Sequence, residues 1–224
     1  MISGFIDIHT HNAVPDASQS HSVFNYLLGR HKECPAGRLF SAGLHPWYID
    51  DYKNSPEHEL TSLAGRYKDL IAIGECGLDK VRGPNLEKQT AVFTCQAQLA
   101  ASLDKPLIIH CVRYFNELIA LKKQLRHRNP WIIHGFNQSP HIAIALLKFD
   151  FYFSFGEALL IEKSKAALSL PVIPVDHLFF ETDESNIAIG NVYKAAAEIL
   201  SANLDSLIFN IEKNFQKCFN YGNS

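Results

Sequence analysis

Short apolar runs punctuate the chain at FIDIH (5–9), RLFSAGLH (38–45), LIAIGE (70–75), PLIIHC (106–111), WIIHGF (131–136), FYFSFG (151–156) and HLFFETD (177–183), with a weaker run at SVFNYLL (22–28). They are of strand length and mostly continuous rather than alternating, as parallel strands buried on both faces require. Helix-like stretches lie between them. EKQTAVFTCQAQLAASL (87–103) sets Val92, Phe93, Gln96, Leu99, Ala100 and Leu103 on a 3.6-residue period. YFNELIALKKQLRH (114–127) and HIAIALLKF (141–149) are shorter versions, and 192–219 carries two helical patterns split near 203–205. No low-complexity tract or Pro/Gly-rich linker interrupts the pattern, so residues 1–224 read as one domain. Alternating strands and helices with about eight strands predict an α/β fold, and a (β/α)8 TIM-type barrel fits that count. A doubly wound open sheet is the alternative. Its nucleotide-binding version loses support because no GxGxxG follows the first strand.

The polar residues within these runs change the picture. In FIDIHTH (5–11), Asp7, His9 and His11 occupy every second position, which on a strand is one face. Burying such groups unpaired costs several kcal/mol, and a metal ion is a compensation that imidazole and carboxylate both accept. The plainer reading is two histidines in an exposed loop. Other runs end the same way: His45, Glu75, His110, His134 and Asp183 each stand at or just past the C-terminal end of an apolar run. In a parallel barrel those ends gather on one face, where active sites sit. Any one of them reads equally as a strand-end histidine or a cap; recurrence at one topological position points to a two-metal site. His21, His31, His58, His127, His141 and His177 lack this placement and read as surface or second-row residues.

Bulk properties narrow the class. The chain is 47% hydrophobic, enough for a full core, and has no run of eighteen apolar residues that would span a membrane. Its first residues lack a basic flank, so no signal peptide is expected and the expected compartment is the cytoplasm. Cys34, Cys76, Cys95, Cys111 and Cys218 are odd in number and form no CxxC, which argues against a disulfide framework or a cysteine zinc site. A formal net charge of −2 argues against coating nucleic acid through bulk positive charge. It leaves room for local grip on a strand with metal ions supplying the positive charge. Cys76 and Cys111 each follow a proposed ligand and read as small core residues. Phe149, Phe151, Tyr152, Phe153 and Phe155 read as strand packing rather than a base-stacking platform.

The ordered segments Asp7-Ile-His-Thr-His11, Gly43-Leu-His-Pro46, Gly74-Glu-Cys-Gly-Leu-Asp79, Gln89-x3-Phe93-x2-Gln96, Pro106-x3-His110-Cys111, His134-Gly-Phe136 and Glu181-Thr-Asp183 resemble the TatD-like metal-dependent hydrolases, a branch of the amidohydrolase-type barrels. Asn210-x3-Asn214-x4-Phe219 is like that family's closing helix. The resemblance implies a (β/α)8 barrel, a divalent-metal site and phosphodiesterase activity, in the family a deoxyribonuclease often working from a 3′ end. It maps the family's ligand positions onto His9, His11, Glu75, His110, His134 and Asp183. The chain also departs from the family. The span between His11 and His45 is short, which alters the strand 2 region and one wall of the cleft. Val112 stands where the family commonly has arginine, with Arg113 one place later. Glu184-Ser185 replaces a small residue and proline, and Lys80 replaces an aromatic.

The expected mechanism uses two divalent ions, of zinc, magnesium, manganese or nickel, bridged by Glu75. His9 and His11 hold one ion with Asp183, and His110 and His134 hold the other. Asp183 is also the general base for a metal-activated water. His45 and Arg113, with Lys80 or Arg82, are placed to hold the phosphate, although each of these charges also reads as a solvated surface group. Asp7 either orients a ligating histidine or bonds to backbone, and Asp79 either supports its loop or approaches the site. The expected substrate is DNA or another phosphodiester, with no membrane and no obligate protein partner. The alternative is a small ester, lactone, amide or phosphate hydrolysed on the same site, since fold alone does not decide chemistry.

Overall fold

The computed structural model describes residues 4–12, 19–33, 35 and 37–221; Cys34 lies outside them. Eight strands form one sheet: β1 (Phe5–Thr10), β2 (Gln19–Leu27), β3 (Phe40–Gly43), β4 (Leu70–Asp79), β5 (Leu107–Val112), β6 (Trp131–Ile133), β7 (Phe151–Phe155) and β8 (Leu178–Phe180). Hydrogen-bonded neighbours follow chain order, and Thr10 makes a parallel bridge to Asp183 just past β8. Strand order that tracks the chain and returns to strand one is the (β/α)8 TIM-type barrel arrangement. The helices are α1 (Pro56–Arg66), α2 (Leu86–Ser102), α3 (Phe115–Leu125), α4 (Pro140–Leu147), α5 (Lys165–Ser169), α6 (Ile189–Leu200) and α7 (Leu204–Phe219). Among the described residues no helix separates β1 from β2 or β2 from β3, in keeping with the short span there. No helix of the described residues is long and apolar enough to cross a membrane.

Two elements differ from expectation. The weak run at 22–28 is a nine-residue strand beginning at Gln19. The helix α1 was not expected, because only Leu60 and Leu63 are buried along it and two positions make a thin periodic signal. Its signature is at the start instead. The Ser55 hydroxyl accepts from the His58 N–H, Pro56 opens the helix, and Glu57 and Glu59 lie in its first turn.

Contacts fall into two compact units, residues 1–24 with 133–224, and residues 25–132. In the first, Ile6, Ile8, Phe151, Phe153, Phe155, Phe179 and Phe180 build the core from strand residues. The fully buried Tyr193 of α6 locks onto β1: its hydroxyl donates to the Ile6 carbonyl at 2.9 Å and accepts from the Ile6 N–H at 3.2 Å. Asn214 of α7 donates to the carbonyls of Val175 and Leu178, at 2.7 and 3.0 Å, fixing the entry to β8.

In the second unit, α2 does the corresponding work. Phe93 packs edge-on against Trp131. Gln96 pairs with both backbone groups of Leu44, at 2.8 and 3.2 Å, and so fixes the residue before His45. Gln89 accepts from the Asp79 N–H at 2.7 Å and donates to the Asp79 carbonyl at 2.9 Å. Two buried glutamines on one helix thus hold the backbone of two site loops. A buried amide must be satisfied, and these are satisfied by the backbone at the ends of β3 and β4.

The strand β4 runs four residues past Glu75, where the apolar run had suggested an end. Its register against β5 shifts between Ile73 and Cys76, and Gly74 and Gly77 take φ of 140° and 155°. A Cβ on Gly77 would lie 1.9 Å from the His110 carbonyl oxygen. Only glycine permits that approach. Gly77→Ala is therefore expected to cost about 2–5 kcal/mol, from strain plus overpacking. Gly65→Ala in α1, where a Cβ meets nothing within 4 Å, is expected to stabilise by about 0.5–1 kcal/mol. Urea unfolding checks both, and equal effects would contradict this placement of the two glycines.

Candidate metal centre

The first unit brings His9, His11, His134 and Asp183 together. Asp183 Oδ1 lies 3.5 Å from His9 Nε2 and 3.4 Å from His11 Nε2. The rings of His9 and His134 are 4.4 Å apart, and His9, His134 and Asp183 each offer a ligand atom within 4.8 Å of the others. Here His134, expected beside His110, groups with His9 and Asp183. The buried Glu181 stands behind it, with Oε1 3.4 Å from His134 Nδ1 and accepting from the Gly135 N–H at 2.6 Å. A carboxylate facing Nδ1 favours the tautomer whose proton lies on that nitrogen.

Asp7 meets the segment that carries Asp183. It accepts from the Thr182 hydroxyl at 2.7 Å and from the backbone N–H of Thr182 and His9 at 3.1 and 3.3 Å. Bonding to backbone, the second of its two readings, is seen: Asp7 ties β1 to the segment that carries Asp183. Burial pushes its carboxyl up to about 7 even against those donors.

In the second unit, Glu75 Oε1 lies 3.1 Å from His45 Nε2 and 3.3 Å from His110 Nδ1. These three form a second group within 4.8 Å. The ring nitrogens separate their roles. His110 Nε2 faces Asp79 Oδ2 at 2.9 Å, so the proton belongs on Nε2 and Nδ1 is left as a lone pair beside Glu75. His45 is the reverse. Its Nδ1 accepts from the Trp47 N–H at 3.2 Å, which puts the proton of the neutral ring on Nε2, toward Glu75. In that tautomer Nε2 donates rather than ligates.

Asp79 approaches the site as well as bracing its loop. Burial opposes its ionisation, but donors outweigh that: His110, the Trp47 indole N–H at 2.7 Å, and the backbone N–H groups of Val81 and Arg82 hold its carboxyl well below the ordinary carboxylate range. Arg82 stacks over Trp47, 4.0 Å from the ring centroid, and Lys80 lies 5.7 Å from that of Tyr114. Arg113 is exposed with a φ of 61°. Cys76 and Cys111 are buried, and burial raises both thiols, Cys111 to about 12, as suits core residues rather than nucleophiles. Phe151, Tyr152, Phe153 and Phe155 are buried in β7 as strand packing.

The donor sets fit divalent metal. Nitrogen and carboxylate ligands, with one histidine in each group backed by its own carboxylate, suit zinc, manganese, nickel or iron. Beside Asp183 opens a cavity of about 520 Å³. Its walls include Asn137, Glu157, Glu184 and Asn186, and among the described residues no lysine or arginine. Sequence reasoning quoted Glu181 only as part of the Glu181-Thr-Asp183 segment and gave no role to it, to Trp47 or to Asn25. Glu181 was legible as an acid closing an apolar run; Asn25 as an amide inside one.

A family model described as TatD-related DNase matches residues 17–220. The chain is 32% identical over 179 residues to an uncharacterised metal-dependent hydrolase of Buchnera aphidicola, covering 77% of this chain and 65% of that protein. It is 31% identical over 147 residues to the 3′-5′ ssDNA/RNA exonuclease TatD of Pantoea ananatis, covering 64% and 56%. The matched region thus spans 56 to 65% of the length of these relatives. In fold it is similar to the crystal structure of YJJV, a TatD homologue from Escherichia coli K12, with TM-score 0.83, 22% identity and 98% and 99% of the two chains covered. A TatD-family hydrolase from Entamoeba histolytica follows at 0.81 and 16%, with the same coverage.

The paired variant His134→Ala with Asp183→Ala is expected to lose divalent metal after dialysis, measured by elemental analysis. Unchanged metal content would contradict the grouping in the first unit.

Proposed function

The chain belongs to the TatD-related DNase family, and from that premise we propose that it is a divalent-metal-dependent phosphodiesterase that removes nucleotides from the 3′ end of single-stranded DNA or RNA. The observation that supports the reading is the pair of histidine–carboxylate groups, in each of which one histidine also faces a second, buried carboxylate. His9, His11, His134 and Asp183 would hold an ion in one unit, and Glu75 with His110 would hold an ion in the other. Bound divalent ions supply charge neutralisation for the phosphate and lower the pKa of the attacking water from about 15.7 toward 7.

The chain's own groups do the rest. Asp183, partly exposed beside the cavity, takes the proton of the attacking water on its carboxylate. His45 Nε2–H donates to a phosphate oxygen when substrate displaces it from Glu75. Arg113, exposed at the end of β5, reaches the strand backbone through its guanidinium. Glu181 and Asp79 hold His134 and His110 in the ligating tautomer throughout. We place the reaction in the cytoplasm, because the four described cysteines are free thiols.

One feature favours a second reading, a small ester, lactone, amide or phosphate. The cavity beside Asp183 carries Glu157 and Glu184 and no cation, so it offers a polyanion no charge attraction.

Digestion of a single-stranded DNA oligonucleotide, labelled internally, with magnesium or manganese present decides between them. The nuclease reading predicts stepwise shortening from the 3′ end, abolished in Glu75→Ala. No shortening by metal-loaded protein that hydrolyses a small phosphate or carboxyl ester would establish the second reading instead.

A further inference from the structure

The strand β2 contributes an amide that no motif in the chain announces. Asn25 is fully buried within the run SVFNYLL. Its Nδ2 donates to Glu75 Oε2 at 2.9 Å, and its Oδ1 accepts from the Glu75 N–H at 3.1 Å. One side chain therefore grips both the backbone and the carboxylate of the same residue, fifty positions away.

That grip has a geometric consequence. A glutamate carboxylate turns easily about its last bond, since terminal sp³–sp² torsions are broad. With Oε2 held by the Asn25 amide, the plane is fixed and Oε1 is the oxygen facing His110 Nδ1 at 3.3 Å. The bond to the Glu75 N–H sets the backbone from which the side chain starts, at the point where β4 departs from regular register. A neutral donor suits the position. Lysine or arginine there would neutralise the carboxylate and compete with a cation; asparagine orients it and leaves its charge available.

We infer that Asn25 is a positioning residue for the metal-binding carboxylate of Glu75, fixing which oxygen an ion meets. This rests on the metal reading above and adds a residue to it. The alternative role for Asn25 is packing and hydrogen-bond satisfaction alone. The two differ in what a variant changes. Loss of packing lowers the stability of the metal-free protein. Loss of positioning weakens metal binding in protein that remains folded, and alters the field around the ion. Partners that orient metal ligands are typically worth about 10–100-fold in affinity.

The test measures manganese affinity by titration calorimetry and the visible spectrum of the cobalt-substituted protein. It compares the full chain with Asn25→Ala, Asn25→Leu and Glu75→Ala. Leucine keeps the branched shape of asparagine and fills its space, so it serves if the alanine cavity prevents folding. Circular dichroism of the metal-free proteins reports folding. The expected result is folded Asn25 variants with about 10–100-fold weaker manganese binding and a shifted cobalt band, and a larger loss in Glu75→Ala. Affinity within twofold of the parent and an unchanged band in folded Asn25 variants, with Glu75→Ala still defective, would overturn the role of Asn25. Undiminished affinity in Glu75→Ala as well would overturn the metal reading beneath it.

Discussion

Four acids are buried among the described residues: Asp7, Glu75, Asp79 and Glu181. A carboxylate taken out of water must find donors or a cation, because leaving it bare costs several kcal/mol. Where these four find them organises much of each unit. Asp7 finds Thr182 and so fastens β1 to the Asp183 segment. Glu181 faces His134 and the Gly135 N–H, and Asp79 finds His110, Trp47 and two loop amides. Glu75 faces Asn25, His45 and His110. In each of the two histidine groups a buried carboxylate faces one nitrogen of one imidazole. That repetition from different strands is what a site built to receive cations needs, since ligand tautomers must be set before the ion arrives.

The surrounding fold supplies the precision. Gln89 and Gln96 sit on one helix and spend their amides on the backbones of Asp79 and Leu44. Tyr193 and Asn214 do the same for β1 and β8. Gly74 and Gly77 let β4 depart from regular register against β5, and the departure aims Glu75. Core packing alone would place these strands to within a few ångströms. Buried polar groups, each with a directional partner, reduce that freedom.

Much of this was legible in the chain. Apolar runs of strand length gave all eight strands, because a strand buried on both faces needs no particular partner to be recognised. The habit of ending such a run with histidine or acid brought out His9, His45, Glu75, His110, His134 and Asp183. What stayed hidden depended on distant partners. Asn25 meets Glu75 fifty residues on, and nothing local marks it as more than a polar residue in an apolar stretch. The tautomer of His45 follows from the N–H of Trp47, and a tautomer is not legible in a sequence. The start of β2 and the helix α1 were missed because polar or sparse patterns carry little periodic signal, and in α1 the cap was the stronger mark. The backing role of Glu181 followed neither periodicity nor spacing.

If the strand-end histidines and carboxylates hold divalent ions in the two groups described, crystals grown with manganese will show where. Anomalous difference peaks are expected beside His110 Nδ1 and Glu75 Oε1, and beside His9, His134 and Asp183. Crystals that carry manganese elsewhere and leave both groups bare would contradict that placement.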